Sequence, residues 1–303
     1  MRLGVTLSAT ADRPSLACLI RQARVAEELG IELGWIGATA GGPLALPVAA
    51  ALAPQTSALR FAAEVLADAH PVTIAEEAAV ADQLSNGRLV LVVRHDTDAA
   101  RLGETADVLL AAAASRPFRH EGPGWTTPAR LPANEDHEAR LIVTPAPAQL
   151  EMPLWLSGAA AADPARRRGL THVVVAHGEA AAADWGRTDT ELRGAAARLR
   201  RPALFDVASA PDGDFDDGAL IAELLRERDT WSLDVAILRF AQALDDAAWV
   251  RALTRVAAMV RPSVQLDQVP GHLTDHWAAV MPAALPAIAT AAGDGASFER
   301  IGG

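Results

Sequence analysis

The sequence has no lysine, no tyrosine and a single cysteine, Cys18. All 27 basic residues are therefore arginine, and the 38 acidic residues bring the formal net charge to -11. Binding to nucleic acid requires local positive charge, so this balance predicts no nucleic-acid partner. One cysteine excludes an internal disulfide framework and a zinc site built from cysteines. The eight histidines are scattered along the chain, and we predict no metal site.

Aromatic residues are also scarce, at 4%, although half of the residues are hydrophobic. Alanine, leucine and valine supply the apolar volume, which predicts a core of small side chains with closely packed backbones. The longest uncharged stretch, residues 33–59, is interrupted by Gly41-Gly42-Pro43, Pro47 and Pro54, which favour strand, loop and helix over a membrane span. The first apolar run is too short for a signal peptide. We therefore expect a soluble cytoplasmic protein with no membrane association.

Short apolar runs alternate with longer amphipathic segments along the chain. The predicted strands are Leu3–Leu7, Leu33–Gly37, Leu59–Leu66, Arg88–Val93, Pro153–Ser157, His172–Ala176, Ala203–Ala208 and Leu233–Leu238. The predicted helices are Pro14–Leu29, Pro47–Ala53, Pro71–Leu84, Asp98–Ala114, Ala159–Arg168, Asp189–Leu199, Gly218–Arg228 and Ala247–Val260. Strict alternation is typical of a parallel α/β sheet, and eight units favour closure into a (β/α)8 TIM barrel. An open doubly wound sheet needs a glycine-rich phosphate turn after the first strand, where Ser8-Ala9-Thr10 stands instead.

Two segments depart from this alternation. Residues 116–147, after the fourth helix, are rich in proline, glycine and charge. They predict an irregular insertion at the barrel mouth, with room for a short hairpin. Residues 261–303 predict a proline-rich C-terminal tail with one helical segment. Because no domain boundary interrupts the rhythm, we expect residues 1–303 to form a single barrel domain.

The active site of such a barrel lies at the carboxyl ends of its strands. Polar residues at those predicted ends are Ser8, Thr10, Thr39, Glu64, Arg94, His95, Asp96, Ser157, His177, Ser209, Arg239 and Gln242. The run Arg94-His95-Asp96 is unusual because it offers an anion-binding guanidinium beside an imidazole that titrates near neutral pH. A solvated loop start is the alternative interpretation of the same run.

One block of the sequence resembles the bacterial luciferase-like flavin monooxygenases. It runs from Phe61 to Leu89 and carries the motifs HPV at 70–72, AEE at 75–77 and DQLSNGR at 82–88 in the family's order. The segment AEELG at 26–30 and the strand PLWLSG at 153–158 also resemble this family. The resemblance covers about residues 1–175, and the family fold is the same eight-stranded barrel that the alternation predicts.

The resemblance implies a flavin site at the barrel mouth. The residues that it assigns to cofactor binding are Ala62, Ala63, Glu64, Arg94, Ser157, Gly158 and Ala159. The bond between Ala62 and Ala63 falls on the family's non-proline cis peptide, which supports the flavin ring. Arg94 and the backbone N–H groups at a helix start near Ala159 fall where the family binds the flavin phosphate.

The resemblance also implies roles for residues outside the cofactor site. His70 is expected to cap a helix, and Asp82 and Arg88 are expected to form a structural ion pair. The family places an acidic residue and a histidine after its second strand, where this chain has Ala38-Thr39. His95 and His177 are therefore the candidates for general acid/base catalysis.

Three functions remain open at this stage. The first is a flavin-dependent monooxygenase that uses oxygen and reduced FMN, delivered by a partner flavin reductase, on a small organic substrate. The second keeps the barrel but uses a reduced deazaflavin for hydride transfer. The third is a non-catalytic luciferase-like subunit, or a degenerate flavin-binding barrel. The resemblance also implies a homodimer.

Overall fold

The computed structural model describes residues 1–7, 15–38, 45–114, 116–129, 139–175, 201–210, 212–231, 233–240 and 244–265. Its strands are β1 (Arg2–Thr6), β2 (Leu33–Ile36), β3 (Arg60–Leu66), β4 (Leu89–Arg94), β5 (His120–Glu121), β6 (Thr126–Thr127), β7 (Leu154–Ser157), β8 (Thr171–Val175), β9 (Pro202–Val207) and β10 (Val235–Phe240). Eight of them form a closed parallel barrel in the order β1-β10-β9-β8-β7-β4-β3-β2. The predicted TIM barrel is confirmed.

Helices connect the barrel strands on the outside. They are α1 (Leu16–Glu28), α2 (Ala45–Leu52), α3 (Pro71–Leu84), α4 (Ala99–Ala113), α5 (Ala162–Arg168), α6 (Asp217–Trp231), α7 (Asp246–Arg255) and α8 (Arg261–Gln265). A 3₁₀ turn, Ala53–Gln55, follows α2, and a π-helical turn, Val256–Val260, joins α7 to α8. The predicted helix over Asp189–Leu199 lies outside the described residues.

The helix starts follow from their capping residues. Asp98 accepts a hydrogen bond from the N–H of Arg101 at 2.8 Å, and Asp245 accepts one from Ala248 at 2.7 Å. His70 caps α3 through Nδ1, which accepts from the N–H of Val72 at 3.3 Å. These bonds satisfy N–H groups that have no partner within their own helix. The predicted role of His70 as a helix cap is confirmed.

Two apolar layers build the barrel, because successive side chains of a strand point to opposite faces. Inside the barrel lie Leu33, Trp35, Ala62, Val90, Val92, Trp155, Val173, Leu204, Val235 and Ile237. The outer layer packs between strands and helices and is rich in alanine, as at Ala75 and Ala78 of α3 and Ala106 of α4. The interior is therefore a packed core that closes the barrel below its mouth.

The insertion after α4 carries the hairpin of β5 and β6, which pair in antiparallel fashion. Glu104 of α4 anchors it, accepting hydrogen bonds from the N–H groups of Gly124 at 2.9 Å and Trp125 at 2.8 Å. Burial acts to raise the pKa of Glu104, but the bonds from His120, Trp125 and Gly124 outweigh it and lower that pKa. Because α4 begins at the carboxyl end of β4, the hairpin lies on the mouth side of the barrel.

After the insertion the chain passes the C-terminal end of α3, which is the end away from the barrel mouth. Asp82 accepts hydrogen bonds there from the backbone N–H and the side-chain Nε2 of Gln149, both at 2.8 Å. Arg88 instead donates to backbone carbonyls, at 2.6 Å to Leu59 and 2.8 Å to Ala53. The predicted Asp82–Arg88 ion pair is therefore wrong, since Asp82 is satisfied by Gln149 and Arg88 by backbone carbonyls.

Backbone contacts divide the chain into two compact units, Met1–Val264 and residues 265–303. Arg261 belongs to the first unit, where its Nη1 donates to the carbonyl of Leu29 at 3.0 Å. The single domain over residues 1–303 stays a prediction. Among the described residues, no helix has both the length and the apolar character needed to cross a membrane.

Candidate functional site at the barrel mouth

The inward-facing positions of the barrel strands turn from apolar to polar at the carboxyl ends. On β3 Glu64 follows the inward Ala62, and on β4 Arg94 follows Val92. The same two-residue step leads from Trp155 to Ser157 on β7, from Leu204 to Asp206 on β9 and from Ile237 to Arg239 on β10. We call this set the mouth ring: Glu64, Arg94, Ser157, Asp206 and Arg239. It lies directly above the apolar interior, where a TIM barrel places its reactive groups.

Glu64 is the buried member of the mouth ring, with a relative exposure of 5%. Its Oε1 accepts a hydrogen bond from Ser157 Oγ at 2.7 Å. Its Oε2 accepts one from the N–H of Ala38 at 3.1 Å and lies 3.9 Å from Nη1 of Arg94. A buried carboxylate needs donors, and the hydrogen bonds from Ser157 and Ala38 supply two, with the Arg94 guanidinium as a more distant cation.

Arg94 makes its main bonds to the carboxylate of Asp96. Its Nη2 donates to Oδ2 at 2.9 Å and its Nε to Oδ1 at 3.2 Å. This bond lowers the pKa of Asp96, and the backbone N–H of Ala159, which also donates to that carboxylate, acts in the same direction. The bond to Asp96 is likewise the main reason that the pKa of Arg94 is raised. Asp96 therefore stays ionised at neutral pH.

Arg239 and Asp206 form a second pair in the mouth ring. Both Nε and Nη2 of Arg239 bond to the Asp206 carboxylate, the latter at 2.7 Å. This bond is the main cause of a raised pKa at Arg239, and the negative charge of Glu64 adds to it. Arg94 and Arg239 therefore sit in one electrostatic environment, each with a carboxylate of its own.

The loop after β7 is fixed against the loop after β4. The N–H of His95 donates to the carbonyl of Ser157, and the N–H of Ala160 donates to the carbonyl of His95, each at 3.3 Å. Gly158 has a φ of +93°, and a Cβ there would lie 2.5 Å from the carbonyl oxygen of His95. Only glycine fits this position. The predicted helix start at Ala159 is wrong, because α5 begins at Ala162.

His95 has contacts at both ring nitrogens. Its Nδ1 accepts from the N–H groups of Asp98 at 3.0 Å and Thr97 at 3.3 Å. Its Nε2 lies 3.4 Å from Oδ1 of Asp68. These contacts make His95 an organiser of the loop between β4 and α4, and its catalytic role stays a prediction. His177, the other predicted acid/base residue, lies outside the described residues.

The two alanines assigned to the flavin ring lie on opposite faces of β3. Ala62 belongs to the barrel interior, whereas Ala63 packs into the outer layer toward the helices. The expected cis peptide between them is absent, since the cis bonds within the described ranges are Thr127–Pro128 and Thr144–Pro145. Both alanines pair in regular register with β2 and β4. The role of the two alanines in cofactor binding stays a prediction, and the prediction of a cis peptide between them is wrong.

Asp206 is the member of the mouth ring that the sequence reasoning missed. Arg239 is one of the predicted polar strand ends, whereas its partner Asp206 lies within the predicted strand Ala203–Ala208 and is not one of them. The signal was present in the alternation, because Leu204 faces inward and the next inward position on β9 is Asp206. No group of three or more metal-ligating side chains occurs within the described part of the chain.

The barrel agrees with a comparison against protein families. Residues 1–212 match the model of the family described as luciferase-like monooxygenase. The chain belongs to this family. The resemblance carried by the motifs between Phe61 and Leu89 is thereby confirmed. No curated protein matches the chain.

Several solved enzyme structures have a similar fold. The monooxygenase RslO1 from Streptomyces bottropensis is 18% identical, with a TM-score of 0.69 over 86% of this chain and 99% of that one. The oxygenating constituent of 3,6-diketocamphane monooxygenase from Pseudomonas putida, solved with FMN, is 17% identical, with a TM-score of 0.66 over 86% and 98%. The coenzyme F420-dependent tetrahydromethanopterin reductase from Methanopyrus kandleri is 14% identical, with a TM-score of 0.63 over 87% and 99%. At these identities the likeness shows the fold.

The phosphate end of a flavin does not fit this luciferase-like barrel at the expected position. The two donors expected to hold the phosphate are the guanidinium of Arg94 and the N–H of Ala159. Both are bonded to the carboxylate of Asp96. An anion of the protein itself therefore stands where the phosphate would be received, and like charges at one site repel.

Proposed function

We propose that this luciferase-like protein is an oxidoreductase of the flavin type that acts on a small organic substrate at the barrel mouth. The observation that carries the proposal is the mouth ring, a buried carboxylate and two arginine–carboxylate pairs directly above a sealed apolar interior. Membership in the luciferase-like family supports the redox class. Charged groups in a concave and partly water-excluded site are the usual setting for catalysis.

The apolar interior excludes water from the site, and the mouth ring supplies its polar and charged groups. Trp35 and Trp155 are buried and close the floor, which keeps water from reaching the reacting groups from below. Ser157 donates its hydroxyl proton to Glu64 in a 2.7 Å hydrogen bond, so this pair offers acceptor oxygens to a bound substrate. Arg94 and Arg239 place two guanidiniums at the mouth, each balanced by a carboxylate of the protein, Asp96 and Asp206.

Oxygenation with reduced FMN is the first form of this function. Its support is the likeness to RslO1 and to the diketocamphane monooxygenase. Hydride transfer with a reduced deazaflavin is the second form, and its support is the likeness to the tetrahydromethanopterin reductase. The partner flavin reductase, the homodimer and the cytoplasmic location belong to the proposal through the family resemblance.

An anaerobic titration tests the redox function. Purified protein is mixed with reduced FMN, reduced riboflavin and a reduced deazaflavin, and binding is followed by absorbance before and after oxygen is admitted. We expect at least one reduced cofactor to bind and to change its rate of reaction with oxygen or with a substrate panel. Arg239→Gln should weaken that binding at least fivefold. Arg168→Gln, which removes a surface arginine paired with Asp107, serves as the matched control.

A non-catalytic barrel is the second candidate function. The observation that favours it is Asp96, which occupies the donors expected for the phosphate, together with the contacts at both ring nitrogens of His95. The same titration separates the two candidates. Folded protein that binds none of the three reduced cofactors would contradict the redox function and support this alternative.

A further inference from the structure

Asp96 occupies a position that an incoming anion would otherwise take. Three donors converge on its carboxylate: Nη2 and Nε of Arg94, at 2.9 and 3.2 Å, and the backbone N–H of Ala159. A guanidinium beside a free backbone N–H is a typical receptor for phosphate. In this chain these donors are present, but the side chain of Asp96 already occupies them.

The geometry around Gly158 holds Asp96 in place. A Cβ at Gly158 would lie 2.7 Å from Oδ1 of Asp96 and 2.5 Å from the carbonyl oxygen of His95. The two loops therefore meet without a gap at this point. They are tied by the hydrogen bonds between the backbones of His95 and Ser157 and of Ala160 and His95. A phosphate that takes these same donors has to displace Asp96.

Displacing Asp96 is unfavourable because the mouth ring offers its carboxylate no other cation. Arg239, the second guanidinium, is already bonded at two nitrogens to Asp206. Arg94 also faces Glu64 at 3.9 Å, so its positive charge is shared between two carboxylates before any ligand arrives. Among the described residues of the mouth, a dianionic phosphate would meet three carboxylates and two guanidiniums.

We propose that Asp96 is a specificity residue that excludes a terminal phosphate, so that the mouth accepts a flavin of the riboflavin class in preference to FMN. The inference rests on the proposed flavin-type function and deepens it. Asp96 supplies internally the negative charge that a phosphate supplies in a phosphorylated flavin. The ring and the uncharged ribityl chain of the ligand then remain as its binding elements.

Oxidised riboflavin and oxidised FMN are the first probes, with binding measured by quenching of flavin fluorescence. We expect the native protein to bind riboflavin at least as tightly as FMN. Asp96→Ala frees both donors and should raise the affinity for FMN tenfold or more, with a change of less than twofold for riboflavin. Asp96→Asn, which removes the charge but keeps a side chain over Ala159, should give an intermediate gain and covers the case in which the alanine variant fails to fold.

Asp107→Ala is the matched control, because Asp107 forms a bidentate pair with Arg168 far from the mouth and is 48% exposed at its side chain against 52% for Asp96. It should leave both affinities unchanged. A native protein that binds FMN tenfold more tightly than riboflavin would overturn the inference. So would a loss of FMN affinity on Asp96→Ala.

Inorganic phosphate alone is the second probe and needs no flavin. Against sodium chloride of equal ionic strength, phosphate should raise the Tm of Asp96→Ala by at least 2 °C, on the order expected for a weakly bound ligand in excess. The native protein and Asp107→Ala should not respond. If phosphate raises the Tm of Asp96→Ala but no flavin binds to any variant, the proposed flavin function fails, and the inference that Asp96 occupies an anion-binding site still holds. Equal responses of the native protein and Asp96→Ala would overturn the inference.

Discussion

Two arginines stand at opposite ends of one barrel strand and have different kinds of partner. Arg88 immediately precedes β4 and donates to the backbone carbonyls of Ala53, Thr56, Leu59 and Ser85 at 2.6 to 3.1 Å. Arg94 ends β4 and bonds to the side-chain carboxylate of Asp96, with Glu64 at 3.9 Å. The residue type and the strand are the same, but Arg88 bonds mainly to backbone carbonyls, with one bond to Thr56 Oγ1 at 3.0 Å, whereas Arg94 interacts with side-chain carboxylates.

This difference separates the end of the barrel that stabilises it from the end that carries its chemistry. Backbone carbonyls cannot rotate away, so a side chain that satisfies them becomes part of the scaffold. Side-chain carboxylates can rotate, so the bonds of Arg94 are less firmly part of the scaffold than those of Arg88. The division agrees with the general property of TIM barrels that stability is built at the amino ends of the strands and catalysis at the carboxyl ends.

Arg88→Met should have the largest effect on stability. It removes the donors of several carbonyls at once, and each buried unsatisfied carbonyl costs about 1–3 kcal/mol. We expect the free energy of unfolding to fall by about 3 kcal/mol or more, measured by urea denaturation. Arg88→Lys keeps the charge but lacks the planar array of donors, so it should recover less than half of the loss. A loss below about 1 kcal/mol for Arg88→Met would contradict the conclusion that Arg88 is part of the scaffold.

Glu64→Gln should have the second largest effect. The amide can still accept from Ser157 through its oxygen, but its NH₂ group then faces the N–H of Ala38 or the guanidinium of Arg94. One mismatched buried pair predicts a loss of about 1–2 kcal/mol in the free energy of unfolding. The exposed Glu28 provides the control variant Glu28→Gln, which should change stability by less than about 0.5 kcal/mol. Equal losses in the two variants would show that the mouth carboxylate is not held by its contacts.

The strand ends themselves were largely predictable from the sequence. Alternation of apolar runs and amphipathic helices gave the barrel, and the barrel then put Glu64, Arg94, Ser157 and Arg239 at one mouth. That step needs only the period of two along a strand and the common direction of parallel strands. Asp206 follows from the same period once Leu204 is known to face inward.

The partners of the charged side chains were not predictable in this way. The family resemblance implies an ion pair between Asp82 and Arg88, which lie six residues apart. Gln149 and the turn 53–59 reach them instead, and both are distant in sequence. Asp96 meets Ala159 only because the loops after β4 and β7 are hydrogen-bonded to each other. Such contacts depend on loop conformation and side-chain rotamers, which composition and spacing do not determine.

Glu104→Gln extends the comparison to the hairpin on the mouth side. The folded pKa of Glu104 is lowered, because the bonds from His120, Trp125 and Gly124 outweigh its burial. Its charge therefore adds stability above the ordinary glutamate pKa of about 4.3, and this contribution is lost as pH falls through the lower folded value. The native protein should exceed Glu104→Gln by about 1 kcal/mol at pH 7, and the gap should close below about pH 4. Paired urea denaturations across this range measure it, and a gap that widens with acid would contradict the sign.

Arg94→Gln should have the smallest effect on stability and is the direct counterpart of Arg88→Met. The Arg94 side chain is 39% exposed, and its loss leaves Asp96 bonded to Ala159 and Glu64 bonded to Ser157 and Ala38. Exposed ion pairs contribute little, so we expect a change within about 0.5 kcal/mol by urea denaturation. Ligand binding at the mouth should weaken in the same variant, whereas in Arg88→Met, assayed below its Tm, it should persist. A stability loss as large as that of Arg88→Met would mean that both ends of β4 are scaffold, and the functional assignment of the mouth ring would then have to rest on Arg239 and Glu64.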